Sequence, residues 1–201
     1  MAVPILSYFD IVRKAGEVYR RHNAAEIIPV DIERIIDVDY RIDIYPSAGL
    51  MDRFQIDAYI SRDLREIHVD KRVYELRPPN RYRFSLAHEF AHLILHADIY
   101  RSMAFRTPQE WKDSMKSLAA DDYDWLEWHA NAFAGLLLVP PHHLASEASA
   151  LRRRIEAAGV NPDKMEEPSA DRVLRSLGQK FGVSKAVIAQ RLRKDRLWEM
   201  P

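Results

Sequence analysis

Residues 83–96 read RFSLAHEFAHLILH: three histidines at four-residue spacing and one glutamate, inside a run that is otherwise mostly apolar. Phe84, Leu86, Ala87, Phe90, Ala91, Leu93, Ile94 and Leu95 make this a helix built for burial, and buried ionisable groups need partners. Positions four apart stand one above the other on a helix, with Cβ atoms about 6 Å apart, so the imidazoles of His88 and His92 can converge on one metal ion. Glu89 follows His88 by about 100° of helical turn, which sets it beside such an ion rather than on it. His88, Glu89 and His92 thus spell H-E-x-x-H, in which zinc lowers the pKa of a water to about 7 and the carboxylate takes the proton. Hydrolysis of a peptide bond is the chemistry that suits this constellation best.

A catalytic zinc needs a third protein ligand and an open fourth position. His96 lies two turns beyond His88 on a continuous helix, with no glycine after His92 to bring the chain back, so a capping or supporting role suits it better than ligation. The stretch 124–140, DWLEWHANAFAGLLLVP, offers more. Glu127 and Asn131 are four apart and share a face, so the carboxylate can bind the ion while the amide oxygen accepts the free N–H of a ligating histidine. His129 is the rival ligand; it points about 200° away from Glu127, so the two do not share an ion.

Outward from these helices, residues 5–22 carry apolar groups at helical spacing (Ile5, Tyr8, Phe9, Val12, Ala15, Val18, Tyr19), and PVDIERIIDVDY predicts a shorter helix with Asp31 near its start. YRIDIYP and FQIDAYISRDLREIHVD alternate apolar with polar residues, which predicts two or three short strands. LRPPN punctuates, and Asn80 is placed to cap the metal helix. Residues 97–122 form a polar connection that the pattern does not assign. Helices are expected over about 123–139, ending at Pro140 and Pro141, and over 143–159, closing on Gly159. NPDKMEEPSAD reads as a linker, and the last stretch as helix, GVS turn, helix.

With 47% hydrophobic residues the chain can form a real core, and 30 basic against 30 acidic side chains leave no net field to draw it to nucleic acid or membrane. The absence of cysteine removes disulfides, thiolate metal sites and cysteine nucleophiles, and fits a reducing cytoplasm. The start, MAVPILSYFDIVRK, is a poor signal peptide, and no apolar run approaches the roughly 18 residues of a membrane span. A soluble, cytoplasmic protein is expected.

These motifs together resemble the ImmA/IrrE (M78-type) metallo-endopeptidases. RFSLAHEFAHLILH matches the family's metal helix, EWHANAFAGLLLVP its E-x-E-A-N-x-F-A-x-x-L-L-x-P helix, and LGQKFGVSKAVIAQRL a later L-x-x-x-F-x-V-S-x-x-A-x-x-x-R-L segment. PVDIERII and IHVD sit where the family has an entry helix and an edge strand above the metal helix. The resemblance, over about residues 25–193, implies an α+β zincin-like fold with a small mixed or antiparallel sheet. It implies Zn2+ held by His88, His92 and Glu127, Glu89 as general base, and Asn131 supporting a ligand. It further implies a protein substrate, a helix-turn-helix transcriptional repressor encoded nearby, whose cleavage relieves repression. Departures are Ala91 where glycine is common, His129 where a second glutamate is common and Val139 where methionine is common.

Four expectations complete the reading. A zincin-like domain over 1–160 carries a helix-turn-helix-like segment over 161–201. Residues 171–196 hold eight basic groups against two aspartates, a local charge of 8 − 2 = +6, so this segment is either a DNA-contacting face or a unit packed on the core. An edge strand at REIHVD would pair an extended substrate by strand addition. Tyr82, Arg83, Tyr123, His142 and His143 are the options for stabilising an oxyanion. The alternative to a peptidase is a regulatory module that binds a repressor or DNA around a structural zinc.

Overall fold

Ser7 and Asp10 start the first helix reciprocally: the Asp10 N–H donates to the Ser7 hydroxyl and the Ser7 N–H to the Asp10 carboxylate. In the computed structural model, which describes residues 3–76 and 79–199, this helix, α1, spans Tyr8–His22. It buries Ile11, Ala15, Val18 and Tyr19, whereas Phe9 stands exposed. Asp31 caps α2 (Ile32–Arg34) by accepting from the Arg34 N–H, and the chain continues through 35–39 as a wider turn closed by Tyr40 N–H to the Ile35 carbonyl. Three short strands follow: β1 (Asp43–Ser47), β2 (Ala58–Ile60) and β3 (Glu66–Asp70), with α3 (Leu50–Phe54) before β2 and α4 (Lys71–Leu76) after β3.

The sheet order is β1-β3-β2, β1 parallel and β2 antiparallel to β3, so the α+β class with a small mixed sheet holds. One expectation is corrected. REIHVD is β3, the central strand and not an edge, because β1 returns to its far side with Ile44 beside Ile67 and Pro46 beside Val69. Alternation reports which face of a strand is buried and is silent on strand order. The two edges are β1 and β2, and β2 is the edge packed against the helix that carries His88 and His92.

The helix that carries His88, Glu89 and His92, α5, spans Pro79–Ser102. Asn80 lies inside its first turn rather than capping it, and residues 77–78 of LRPPN lie outside the described residues. The helix breaks at His96, whose φ of −130° and ψ of 19° leave the helical region. The unassigned connection contains α6 (Pro108–Lys116), started by a Thr107–Glu110 capping box with Pro108 in the first turn. Then come α7 (Ala120–Leu138) and α8 (Pro141–Ala157), with Gly159 at φ +78° just past the end of α8. The core centres on α5 against α7, where Ala87, Ala91, Ala130 and Ala134 are fully buried and allow close approach while Phe90 packs on Phe133.

After a short turn at Pro162–Lys164, α9 (Glu167–Phe181) and α10 (Lys185–Lys194) form the expected helix-turn-helix. Gly178 is required there: a Cβ would sit 2.8 Å from the Val183 carbonyl oxygen. Half of the eight basic groups are already engaged within the chain. Arg175 and Lys185 pair with Asp171, and Lys180 with Glu147. Arg191, only 4% exposed, donates to the Gly135 and Val139 carbonyls at the end of α7 (2.6 and 2.5 Å) and to Asp195. Among the described residues, no helix is long and apolar enough to cross a membrane.

Candidate metal centre

One turn of α5 separates His88 from His92, and α7 brings Glu127 opposite them. Nε2 of His88 lies 3.3 Å from Nε2 of His92 and 3.3 Å from Oε2 of Glu127, and Nε2 of His92 lies 3.9 Å from Oε1 of Glu127. Two ligand atoms each 2.0–2.1 Å from a tetrahedral ion stand about 3.3 Å apart. The three groups therefore fit a single ion, and they form one of two His/carboxylate clusters among the described residues that could hold a metal. The other, Glu26 with His142 and His143, lies mostly exposed.

Asn131 stands one turn beyond Glu127 on α7. Its Nδ2 donates to the Glu127 carbonyl (2.9 Å), which leaves Oδ1 to face Nδ1 of His88 at 3.3 Å. That oxygen accepts, so His88 carries its proton on Nδ1 and aims a lone pair into the centre. Burial opposes charge on His88, but Glu127, Glu89 and Asn131 outweigh it and raise its pKa. His92, buried beside three other histidines, is held neutral far below the usual imidazole range.

Glu89, 6% exposed, sits beside this cluster with Oε2 accepting the Ile60 N–H of β2 at 2.9 Å. Burial pushes its carboxyl up to about 7, a rise that Glu127 reinforces and His88 resists. A base poised near neutrality beside a metal is suited to taking a proton and returning it.

His96 and His129 line up behind His92 rather than joining the centre. Nδ1 of His96 is 3.1 Å from Nδ1 of His92, and Nε2 of His96 is 3.2 Å from Nδ1 of His129. Burial, with His129 adding to it, takes the His96 pKa down to about 3. Tyr100, with its ring 5.0 Å from that of His92, was not singled out in the sequence; its place four residues after His96 continues the 88, 92, 96 series and was the available signal.

His88, His92 and Glu127 open into a cleft of about 260 Å³, lined also by Ala58, Ser85, Trp111 and Tyr123. It adjoins a more apolar pocket of about 470 Å³ that shares Ile56, Trp111 and Tyr123. Of the residues weighed for an oxyanion, Tyr123 alone lines the cleft. Tyr82 donates to Glu33, Arg83 donates to the Val30 and Gly182 carbonyls, and His142 and His143 pack on Tyr19.

Comparisons with known proteins agree with this architecture. A Mycobacterium tuberculosis transcriptional regulator of known structure superposes with a TM-score of 0.55 at 15% identity, over 92% of this chain and 46% of that one. The likeness is one of fold, and the chain spans about half the length of that neighbour. No curated protein matches the sequence. The family model named Peptidase M78, IrrE N-terminal-like domain, matches residues 60–193, more than half of the chain, from β2 through the metal centre to α10, and the chain therefore belongs to that family.

Proposed function

We propose that the protein is a zinc-dependent endopeptidase that cuts a partner protein, a helix-turn-helix transcriptional repressor, and so relieves repression. Membership of the family supports a peptidase-type hydrolase or regulatory role in general terms. The observation that carries the finer reading is Glu89, a buried carboxylate set beside the three-residue cluster and not part of it. A purely structural metal site has no use for such a group.

In this reading His88, His92 and Glu127 hold the ion, and Asn131 keeps His88 in the ligating tautomer. When bound, Zn2+ supplies a Lewis acid that activates water and polarises the scissile carbonyl. Glu89 takes the proton of the attacking water on its free oxygen, while Ile60 N–H holds the other, and then hands that proton to the leaving amine. Asp57 and Ser61 pair with β3, so the alternate residues Ala58 and Ile60 turn their backbone groups to the cleft side. The Ile60 N–H goes to Glu89, and the remaining groups are available to align an extended substrate antiparallel or parallel to β2. Tyr123, which lines the cleft, would donate to the oxyanion. Residues 161–199 are read as a segment fastened on the peptidase domain through Arg191 and Arg83, not as a DNA reader.

The test pairs metal content by native mass spectrometry with cleavage of the helix-turn-helix repressor encoded next to the gene, for wild type and Glu89→Gln. One zinc per chain in both, with cleavage in the wild type alone, is the expected result. Zinc in both and an intact repressor in both would favour the non-cleaving regulatory module.

A further inference from the structure

Behind the metal centre, the ring nitrogens of four histidines form one continuous line. The Leu6 N–H donates to Nε2 of His129 (3.1 Å), Nδ1 of His129 meets Nε2 of His96 (3.2 Å), and Nδ1 of His96 meets Nδ1 of His92 (3.1 Å). Nε2 of His92 meets Nε2 of His88 (3.3 Å), whose Nδ1 meets Asn131. His92, His96 and His129 are each 1% exposed or less, so water does not substitute for any of these partners.

A neutral imidazole has one N–H and one lone pair, so the end of the line sets the direction of all of it. Leu6 is that end, and a backbone N–H cannot be turned into an acceptor. It makes Nε2 of His129 the acceptor and puts the His129 proton on Nδ1, facing His96. The His96 proton then sits on Nδ1, facing His92, and the His92 proton sits on Nε2, pointing into the centre. A metal ligand needs a lone pair at that same atom.

Resting on the reading of His88, His92 and Glu127 as ligands, we infer that metal loading reverses the proton order along His92, His96 and His129 and detaches Leu6, so that residues 3–7 form a strap that opposes metal occupancy and is released by it. On loading, the proton moves from Nε2 to Nδ1 on His92, from Nδ1 to Nε2 on His96 and from Nδ1 to Nε2 on His129, by exchange with solvent. None is gained or lost. The reversed line is satisfied at every buried link and ends with the His129 Nε2–H against the Leu6 N–H, two donors with no acceptor between them. Other links join rings fixed on the packed helices α5 and α7, whereas Leu6, itself half-buried, lies in a mostly exposed stretch outside any helix or strand, also tied by Val3 N–H to Asp122 at 3.0 Å. The mismatch is therefore relieved at Leu6, whose N–H turns to water.

The experiment uses the full chain and zinc alone. Affinity is measured by chelator competition for wild type and His129→Glu, since a carboxylate accepts from both His96 and Leu6 and removes the mismatch. Binding on the order of tenfold tighter is expected in His129→Glu. In the wild type, zinc should accelerate hydrogen exchange of the Leu6 amide on the order of tenfold and shift the His96 proton from Nδ1 to Nε2 in ¹⁵N imidazole spectra. These two readings stand even if the variant does not fold. Equal affinities in two folded proteins, or wild-type Leu6 exchange and His96 tautomer unmoved by zinc, would overturn the strap. Failure of the wild type to bind one zinc per chain would instead remove the ligand reading beneath it, and the strap with it.

Discussion

Nδ1 of His88 faces the amide oxygen of Asn131 at 3.3 Å, and the orientation of that amide is set by its own helix, through Nδ2 donating to the Glu127 carbonyl. One candidate ligand is therefore aimed by the residue a turn beyond another. Asn131→Ala should weaken zinc binding by roughly 10- to 100-fold. Asn131 is exposed, so the far-ultraviolet circular dichroism should be unchanged. Wild-type affinity in the chelator competition would show that His88 needs no such support.

Glu89→Gln keeps the shape of the side chain and an oxygen for the Ile60 N–H while removing the base. The variant should retain one zinc per chain and lose repressor cleavage by roughly 10²- to 10⁴-fold. Single-turnover cleavage followed by gel separates this from slow product release, and cleavage at the wild-type rate would remove Glu89 from the mechanism.

Because β2 is the edge strand beside Glu89, proline tests strand addition there and not in β3. Ala58→Pro removes an N–H that points away from β3, and edge positions tolerate proline. Raised KM with unchanged zinc content is expected, and an unaltered KM would mean that substrate lies elsewhere. Val69→Pro, by contrast, strikes the central strand and should unfold the protein.

Arg191→Met should act on stability rather than on any nucleic acid. It removes the Arg191 donor from the Val139 carbonyl and one of two donors each from the Gly135 carbonyl, which keeps the Val139 N–H, and the Asp195 carboxylate, which keeps the Tyr8 hydroxyl, at a cost of about 2–5 kcal/mol. In thermal unfolding that corresponds to a fall of roughly 5–15 °C for a chain of this size. A melting temperature within a degree of wild type would show that Arg191 is not a structural pin.

The parts of this architecture that depend on one helix at a time were legible in the sequence. Spacing of four puts His88 over His92 and Glu127 over Asn131 whatever else the chain does, and the same geometry turned His129 away from Glu127. Relations between elements were not legible. No pattern in REIHVD says that β1 will come back beside it, and nothing local marks the break at His96, which has neither proline nor glycine nearby. The break falls where one ring must meet His92 on its own helix and His129 on another, a demand visible only once α5 and α7 are packed. For α6 the signal was present, in Thr107, Pro108 and Glu110, and apolar periodicity alone passed over it.

The bond from Ile60 to Glu89 makes the β2 edge and the proposed base one mechanical piece. An α-helix spends its N–H and C=O groups on itself and has none to offer such an edge. In the proposed reaction, a repressor whose helices are intact is therefore protected by its own folding. Scission is confined to its connecting stretches, or to moments when a stretch has unravelled, so the stability of the target sets the timing of the cut.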